Sequence, residues 1–251
     1  MSVDDEQFAS ARARNIAGMG ADNKLKKFSR SWQVEAANHN YIYNFSWLGR
    51  PIIQLPQDVF AMQELIWSIQ PDLIIETGIA HGGSLIFSAS MLELNAACGG
   101  PEDGEVLGID IDIRAHNRKA IEAHPLFKRI SMIQGSSIAP EIIEQVRARA
   151  AGKRRVMVCL DSNHSHSHVL AELNAYALLT SVGSYCVVFD TAIEEVPAEM
   201  SANRPWGPGN NPMTAVLEFL KTTDRFEIDQ DIPNKLLITV APSGYLRRVK
   251  E

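Results

Sequence analysis

Two short runs of the sequence concentrate the residue types that do chemistry. Ile74-Ile75-Glu76-Thr77-Gly78-Ile79-Ala80-His81-Gly82-Gly83-Ser84 reads as an apolar strand leaving through a glycine-rich turn into a helix, which is where α/β sheets hold nucleotide-like ligands. Gly78, Ala80 and Gly83 make a degraded dinucleotide fingerprint. Ala80 stands where a glycine lets the backbone approach a pyrophosphate, and Glu76 would repel one, so an NAD(P)-dependent oxidoreductase is the weaker reading. A carboxylate at this strand end suits a ligand carrying positive charge, such as S-adenosylmethionine with its ammonium and sulfonium groups. About one βα unit later, Val106-Leu107-Gly108-Ile109-Asp110-Ile111-Asp112 ends a second strand in acid. Asp110, and after it Asp112, is the candidate to take both hydroxyls of a ribose.

The second run is Leu160-Asp161-Ser162-Asn163-His164-Ser165-His166-Ser167-His168. Asp161 can bind a divalent metal or orient a substrate, and His164, three residues on, is a candidate general base for a hydroxyl nucleophile. A closed zinc site would want about four ligands, and Cys159 is the one thiol nearby. His166 and His168 read as exposed residues on the first turn of a helix capped by Ser165. Asp190 ends another apolar run, Cys186-Val187-Val188-Phe189. Asp161 and Asp190 at neighbouring strand ends would bring two hard oxygen ligands to one Mg²⁺, the plainer alternative being that they cap loops.

The elements that must position these groups form an α/β pattern, with strands hydrophobic on both faces as buried parallel strands are. Strands are expected at Leu73 to Glu76, Val106 to Asp110, Ile130 to Gln134, Val156 to Asp161 and Tyr185 to Phe189, with helices at Ser84 to Leu94, Asn117 to Ala123, Glu141 to Ala150 and His168 to Leu179. From Glu194 to Asn211, Pro197, Pro205, Gly207, Pro208 and Gly209 forbid regular structure and predict a functional loop. A helix from Met213 to Lys221 follows, then strands Phe226 to Asp229 and Leu236 to Val240 joined by a turn at Pro233-Asn234 as a closing antiparallel hairpin. Residues 1–70 read as a helical and lid segment packed on a core domain of residues 71–251. In it, Ala11 to Asn23 and Lys24 to Ala37 are weakly amphipathic helices. Tyr41 to Pro51 is an aromatic segment, and a further helix opens at Pro56 with Asp58 as N-cap and Phe60, Leu65, Ile66 and Ile69 as its apolar face.

The composition is that of a globular chain, 45% hydrophobic and 22% charged over 251 residues. With 24 Lys and Arg against 30 Asp and Glu, the net charge of −6 disfavours nucleic acid and anionic membranes as partners. No window approaches the ~18 apolar residues of a membrane span and the acidic N-terminus lacks a signal-peptide pattern, so a cytoplasmic location is expected. Cys98, Cys159 and Cys186 read as small core residues rather than a disulfide framework.

Several motifs taken together resemble the cephalosporin hydroxylase family: Trp47-Leu48-Gly49-Arg50-Pro51, Gln54-Leu55-Pro56-Gln57-Asp58, Glu76-Thr77-Gly78 with His81-Gly82-Gly83-Ser84, Leu160-Asp161-Ser162 with His164-Ser165, and Arg204-Pro205-Trp206-Gly207-Pro208-Gly209-Asn210. That family is similar to S-adenosylmethionine-dependent O-methyltransferases, including cephem methoxylation enzymes, rhamnosyl O-methyltransferases and other sugar-modifying members. The resemblance implies a doubly wound, seven-stranded, mostly parallel sheet of the class I methyltransferase type, with an antiparallel pair at the end. It implies that Glu76, Gly78, Ala80, His81 and Ser84 hold the methionine end of the cofactor, Asp110 the ribose, and Ser136 or Ser137 the adenine surroundings, with Asp161 bordering the cofactor. It also implies Mg²⁺ on Asp161 and on a Glu-Asp pair after the fifth strand. Here that pair is Phe189-Asp190, and an apolar ring beside the ion's water shell cannot ligate. Catechol O-methyltransferase, a more distant relative, has a lysine base where His164 stands.

The implied function is methyl transfer to a hydroxyl of a sugar, polysaccharide precursor or small natural product, with His164 as base and the Tyr41 to Trp47 and Glu194 to Asn211 segments closing over the site. Trp206, with Tyr41, Tyr43 and Trp47, offers flat faces that suit a saccharide ring, though each is more often a packing residue, and a homo-oligomer is implied by resemblance alone. A non-catalytic partner subunit with the same fold is the alternative that Phe189 motivates.

Overall fold

The computed structural model describes residues 3–251. In chain order it contains α1 (Val3–Ala21), α2 (Asn23–Ala37), β1 (Phe45–Trp47), β2 (Arg50–Ile52), α3 (Pro56–Ile69), β3 (Leu73–Thr77), α4 (Gly83–Ala97), β4 (Glu105–Asp110), α5 (Ala115–Glu122), β5 (Ile130–Gln134), α6 (Pro140–Ala150), β6 (Val156–Leu160), α7 (His166–Tyr176), β7 (Tyr185–Val188), α8 (Pro212–Thr222), β8 (Phe226–Ile228), α9 (Asp231–Leu236) and β9 (Tyr245–Arg248). Seven strands form one sheet in the order β5-β4-β3-β6-β7-β9-β8, parallel except where β9 pairs with β7 and β8. The chain runs outward from β3 through β4 to β5 and then returns to β6 on the other side of β3. The carboxyl ends of β3 and β6 therefore flank the topological switch point, where such sheets bind ligands.

Full burial on both faces explains the unbroken apolar runs of β3, β6 and β7. Ile74, Val106, Met157 and Val187 pack into one core with α3 and α4, while Leu73, Ile75, Leu107, Val158 and Val188 pack into the other with α6, α7 and α8. The β1–β2 hairpin is seated against the start of α4. A Cβ on Gly83 would fall 2.2 Å from the Pro51 carbonyl, and Trp47 donates its indole N–H to Ser90 Oγ at 2.9 Å while packing edge-on to Phe87. Trp47 is thus a packing residue rather than a face for a sugar.

Several expectations are corrected. The first helix begins at Val3 rather than Ala11, with its acids in the first turn, where they complement the helix dipole. Asp58 does not cap α3. Leu55 is the N-cap, and Asp58 is fully buried, accepting from Thr239 Oγ1, from the Val240 amide at 2.9 Å and from Tyr245 Oη at 2.8 Å. Burial pushes its carboxyl up to about 6 against the lowering effect of these bonds. Phe60 points to solvent, 63% exposed. Leu236 to Val240 is not a strand: α9 occupies the expected turn, and the last strand is β9, whose Tyr-Leu-Arg-Arg pairs antiparallel with both neighbours. Cys98 is exposed, whereas Cys159 and Cys186 are buried.

Candidate active site

The turn after β3 is built by close backbone approach. The Gly78 amide donates to the Ile109 carbonyl at 2.8 Å and the Asp161 amide to the Thr77 carbonyl at 2.9 Å, so both flanking strands press on residue 78. A Cβ there would lie 2.1 Å from the Asp161 carbonyl oxygen, and φ is +92°, so only glycine fits. Ala80 follows in left-handed backbone (φ 45°), a strained state for a residue with a Cβ. Its amide and that of Ile79 donate to Asp110 Oδ2 at 3.2 and 2.8 Å, its carbonyl accepts from Asn117, and Arg50 Nη2 donates to the His81 carbonyl at 2.6 Å. Asp110 Oδ1 takes the Asp112 amide at 3.0 Å. In this structure Asp110 therefore braces the turn, and Asp112 is exposed to solvent.

Glu76 is 4% exposed, and its one hydrogen-bond partner among the described residues is the Ser84 hydroxyl, which donates to Oε1. Burial raises its carboxyl to about 7. Asp161 is likewise raised well above the usual carboxylate range, first by burial and then by the charges of Asp190 and Glu76. Among the described residues, no Lys or Arg pairs with Glu76, Asp161 or Asp190. An uncompensated acidic floor of this kind fits a cationic ligand or a metal ion.

One ligand atom each from Asp161, His164 and Asp190 lies within 4.8 Å of the others. His164 Nε2 is 3.4 Å from Asp190 Oδ2, and Asp190 sits in left-handed backbone (φ 58°) at the end of β7. The Phe189 ring is 3% exposed and belongs to the core that also holds Val187 and Tyr245. The set is two carboxylates and an imidazole. It can hold a divalent ion, although Mg²⁺ prefers oxygen throughout.

The other histidines of the run are not idle surface groups. His166 Nδ1 lies 2.8 Å from Thr214 Oγ1, and His168 Nε2 lies 3.0 Å from Ser137 Oγ and 3.5 Å from the fully buried Glu172. Ser165 makes no side-chain cap; the first amide of α7 is taken instead by Asn210 Oδ1 at 3.0 Å, a bond that ties the Pro/Gly-rich loop to the helix start. Ser137 is 5% exposed and faces His168, while Ser136 is half-buried. Glu172 went unread in the sequence, though an acid in the apolar run Val169-Leu170-Ala171-Glu172-Leu173 was a signal that it needed buried partners, here Ser162 Oγ at 2.7 Å. Beyond His164 and Asp190 opens a cavity of about 550 Å³ whose walls include Tyr41, Tyr43, Trp206 and residues of α2.

A family model described as Rhamnosyl O-methyltransferase/CmcI matches residues 39–249. The chain belongs to this family. A rhamnosyl O-methyltransferase of Mycobacterium tuberculosis is 32% identical over 195 residues, covering 76% of this chain and 73% of its own. One from Mycobacterium leprae is 31% identical over 160 residues, covering 63% and 66%. Among solved structures, CmcI with Mg and SAM superposes with a TM-score of 0.56 at 21% identity, covering 83% of this chain and 78% of that one. An O-methyltransferase from Bacillus cereus in complex with SAH gives 0.54 at 18% identity, covering 91% and 92%. These two support the fold. With family membership established, the chain is an S-adenosylmethionine-dependent O-methyltransferase.

Proposed function

We propose that the acceptor is a saccharide hydroxyl, presented from the cavity beyond His164. The observation that supports methyl transfer here is the convergence of Glu76, Asp161 and Asp190, with no Lys or Arg partner among the described residues, at the carboxyl ends of β3, β6 and β7, beside a cavity whose walls include Tyr41, Tyr43 and Trp206. Glu76, Gly78, Ala80, His81 and Ser84 are assigned to the amino-acid end of the cofactor, with Asp110 on the ribose through the lone-pair capacity its backbone bonds leave free. Ser136 and Ser137 are assigned to the adenine end. S-adenosylmethionine supplies a methyl group activated by sulfonium charge.

The protein's own residues supply alignment and proton transfer. The ring nitrogen of His164 that does not face Asp190, Nδ1, accepts the proton of the acceptor hydroxyl, while Asp190 Oδ2, 3.4 Å from Nε2, orients the ring and stabilises the imidazolium that forms. Asp161 borders both cofactor and acceptor and orients the reacting groups. Trp206, edge-on to His164 with ring centroids 5.0 Å apart, offers a face to the sugar ring. Within the N-terminal segment, α2 and the 41–44 turn act as the lid, since they wall the cavity. We further propose a cytoplasmic enzyme, in which the three free thiols stay reduced, assembled as a homo-oligomer through its N-terminal helices.

The clustering of Asp161, His164 and Asp190 favours a second reading of the same site, in which these three residues would hold a divalent ion that would supply Lewis-acid activation of the acceptor hydroxyl. Turnover of methyl-labelled S-adenosylmethionine against a panel of glycosides, with and without chelator, tests both. Chelator-resistant label in an O-methyl ether supports His164 as base, and loss restored by added Mg²⁺ or Mn²⁺ supports the metal.

A further inference from the structure

The acceptor cavity has a charge asymmetry that the catalytic reading does not use. In a chain of net charge −6, its walls carry three cations, Lys26, Arg30 and Arg204, against two carboxylates, Asp190 and Glu195. Asp190 lies at the catalytic end beside His164, and Glu195 is engaged by Arg30 at 2.8 Å. Lys26 is half-buried on α2, and neither it nor Arg204 has a carboxylate partner among the described residues. The three contacts that lead away from the catalytic end run in series: Asp190 to His164 at 3.4 Å, His164 to the Trp206 ring at 5.0 Å, and the Trp206 ring to the Arg204 guanidinium at 5.5 Å. A flat apolar face thus separates the proton acceptor from an uncommitted guanidinium.

We propose that the acceptor is an anionic glycoside, its ring lying against Trp206 with the methylated hydroxyl at His164 and an anionic group, phosphate or carboxylate, held by Arg204 and Lys26. Both cations present donors that strengthen when the partner is charged, and the guanidinium fork matches the paired oxygens of either anion. The Trp206 stack pre-orients the fork and lowers the entropy lost when the anion docks. The acidic floor at Asp161 and Asp190 repels the same anion, so the charge pattern also selects which end of the acceptor enters first.

This rests on the saccharide reading above, and the test separates the two. The full chain saturated with S-adenosylhomocysteine is titrated, by ligand-observed NMR, with matched gluco and rhamno pairs, the neutral methyl glycoside against the 1-phosphate, and with glucuronate. At least one anionic member is expected to bind about tenfold tighter than its neutral partner. That preference should fall with added salt and be lost in the Lys26→Gln/Arg204→Gln double variant, with S-adenosylhomocysteine affinity as the control for folding. A preference shown by the phosphates alone identifies a phosphorylated acceptor, and one shown by glucuronate alone a uronic acid. Equal binding of neutral and anionic members, absence of binding by every anionic member, or a preference that survives the double variant would overturn the proposal. Anion binding without label transfer to any hydroxyl would uphold this site and sink the saccharide methyltransferase reading, whereas neutral glycosides methylated equally well by wild type and the double variant, with no anionic acceptor preferred, would do the reverse.

Discussion

Gly78 and Asp161 meet backbone to backbone: the space a side chain on residue 78 would need is filled by the Asp161 carbonyl oxygen, 2.1 Å from an ideal Cβ. The turn proposed to hold the cofactor and the strand end proposed to face the acceptor are therefore joined backbone to backbone, and distortion of one reaches the other. Gly78→Ala combines this clash with an unfavourable φ of +92°. A loss of roughly 3 kcal/mol of stability is expected, with S-adenosylmethionine binding abolished, by thermal melt and calorimetry.

Glu76 makes function and stability oppose each other. Its folded pKa of about 7 lies above the ordinary 4.5, so its favourable contribution is fully present below pH 4.5 and is lost as pH rises through 7. Glu76→Gln keeps a partner for Ser84 and removes the buried charge. The variant should melt several degrees higher than wild type at pH 8, from roughly 3 kcal/mol, with the difference vanishing near pH 4.5. It should also lose most S-adenosylmethionine affinity. A variant that melts lower at pH 8 would contradict the electrostatic account.

The same raised pKa predicts proton release on cofactor binding. A sulfonium and ammonium beside Glu76 favour its ionised form, so binding near pH 7 should expel a fraction of a proton and weaken as pH falls. Calorimetry in buffers of different ionisation enthalpy reads this directly. No proton release in wild type, or the same release in Glu76→Gln, would contradict it.

His164→Ala should lower kcat about 100-fold with little change in cofactor affinity, as expected when a general base is lost. Asp190→Asn should give a smaller fall in kcat, because the imidazole remains but its charged orienting partner does not. In the metal reading both variants instead lose bound Mn²⁺, which electron paramagnetic resonance would record.

Much of this was legible in the residues because buried parallel strands and their acidic carboxyl ends are local patterns: Glu76, Asp110, Asp161 and Asp190 each follow an apolar run, and all four lie at strand ends on the cleft side. What was not legible depended on distant partners. Leu236 to Val240 has the composition of a strand, but Asp58, buried 3 Å or less from Val240 and Tyr245, pins that segment as a loop and hands the strand position to Tyr245 and its neighbours. Phe189 stands where the family resemblance implies the glutamate of a Glu-Asp metal pair. In the structure the Phe189 ring is packed in the core with Val187 and Tyr245, while Asp190, in left-handed backbone past the end of β7, joins Asp161 and His164. For Trp47 the aromatic segment alone leaves a sugar face and a packing role both open, and the fact that decides for packing is Ser90, 43 residues away in α4.

The central claim is that this cleft transfers a methyl group from S-adenosylmethionine to a saccharide hydroxyl. Its most direct test is to incubate the purified protein with methyl-labelled S-adenosylmethionine and a mixed panel of neutral and anionic glycosides, then analyse the products by mass spectrometry. The account predicts label in an O-methyl ether, formed by wild type, about 100-fold slower with His164→Ala, and absent with Glu76→Gln. A protein that binds no S-adenosylmethionine at millimolar ligand, or that binds it and labels no glycoside, would contradict it.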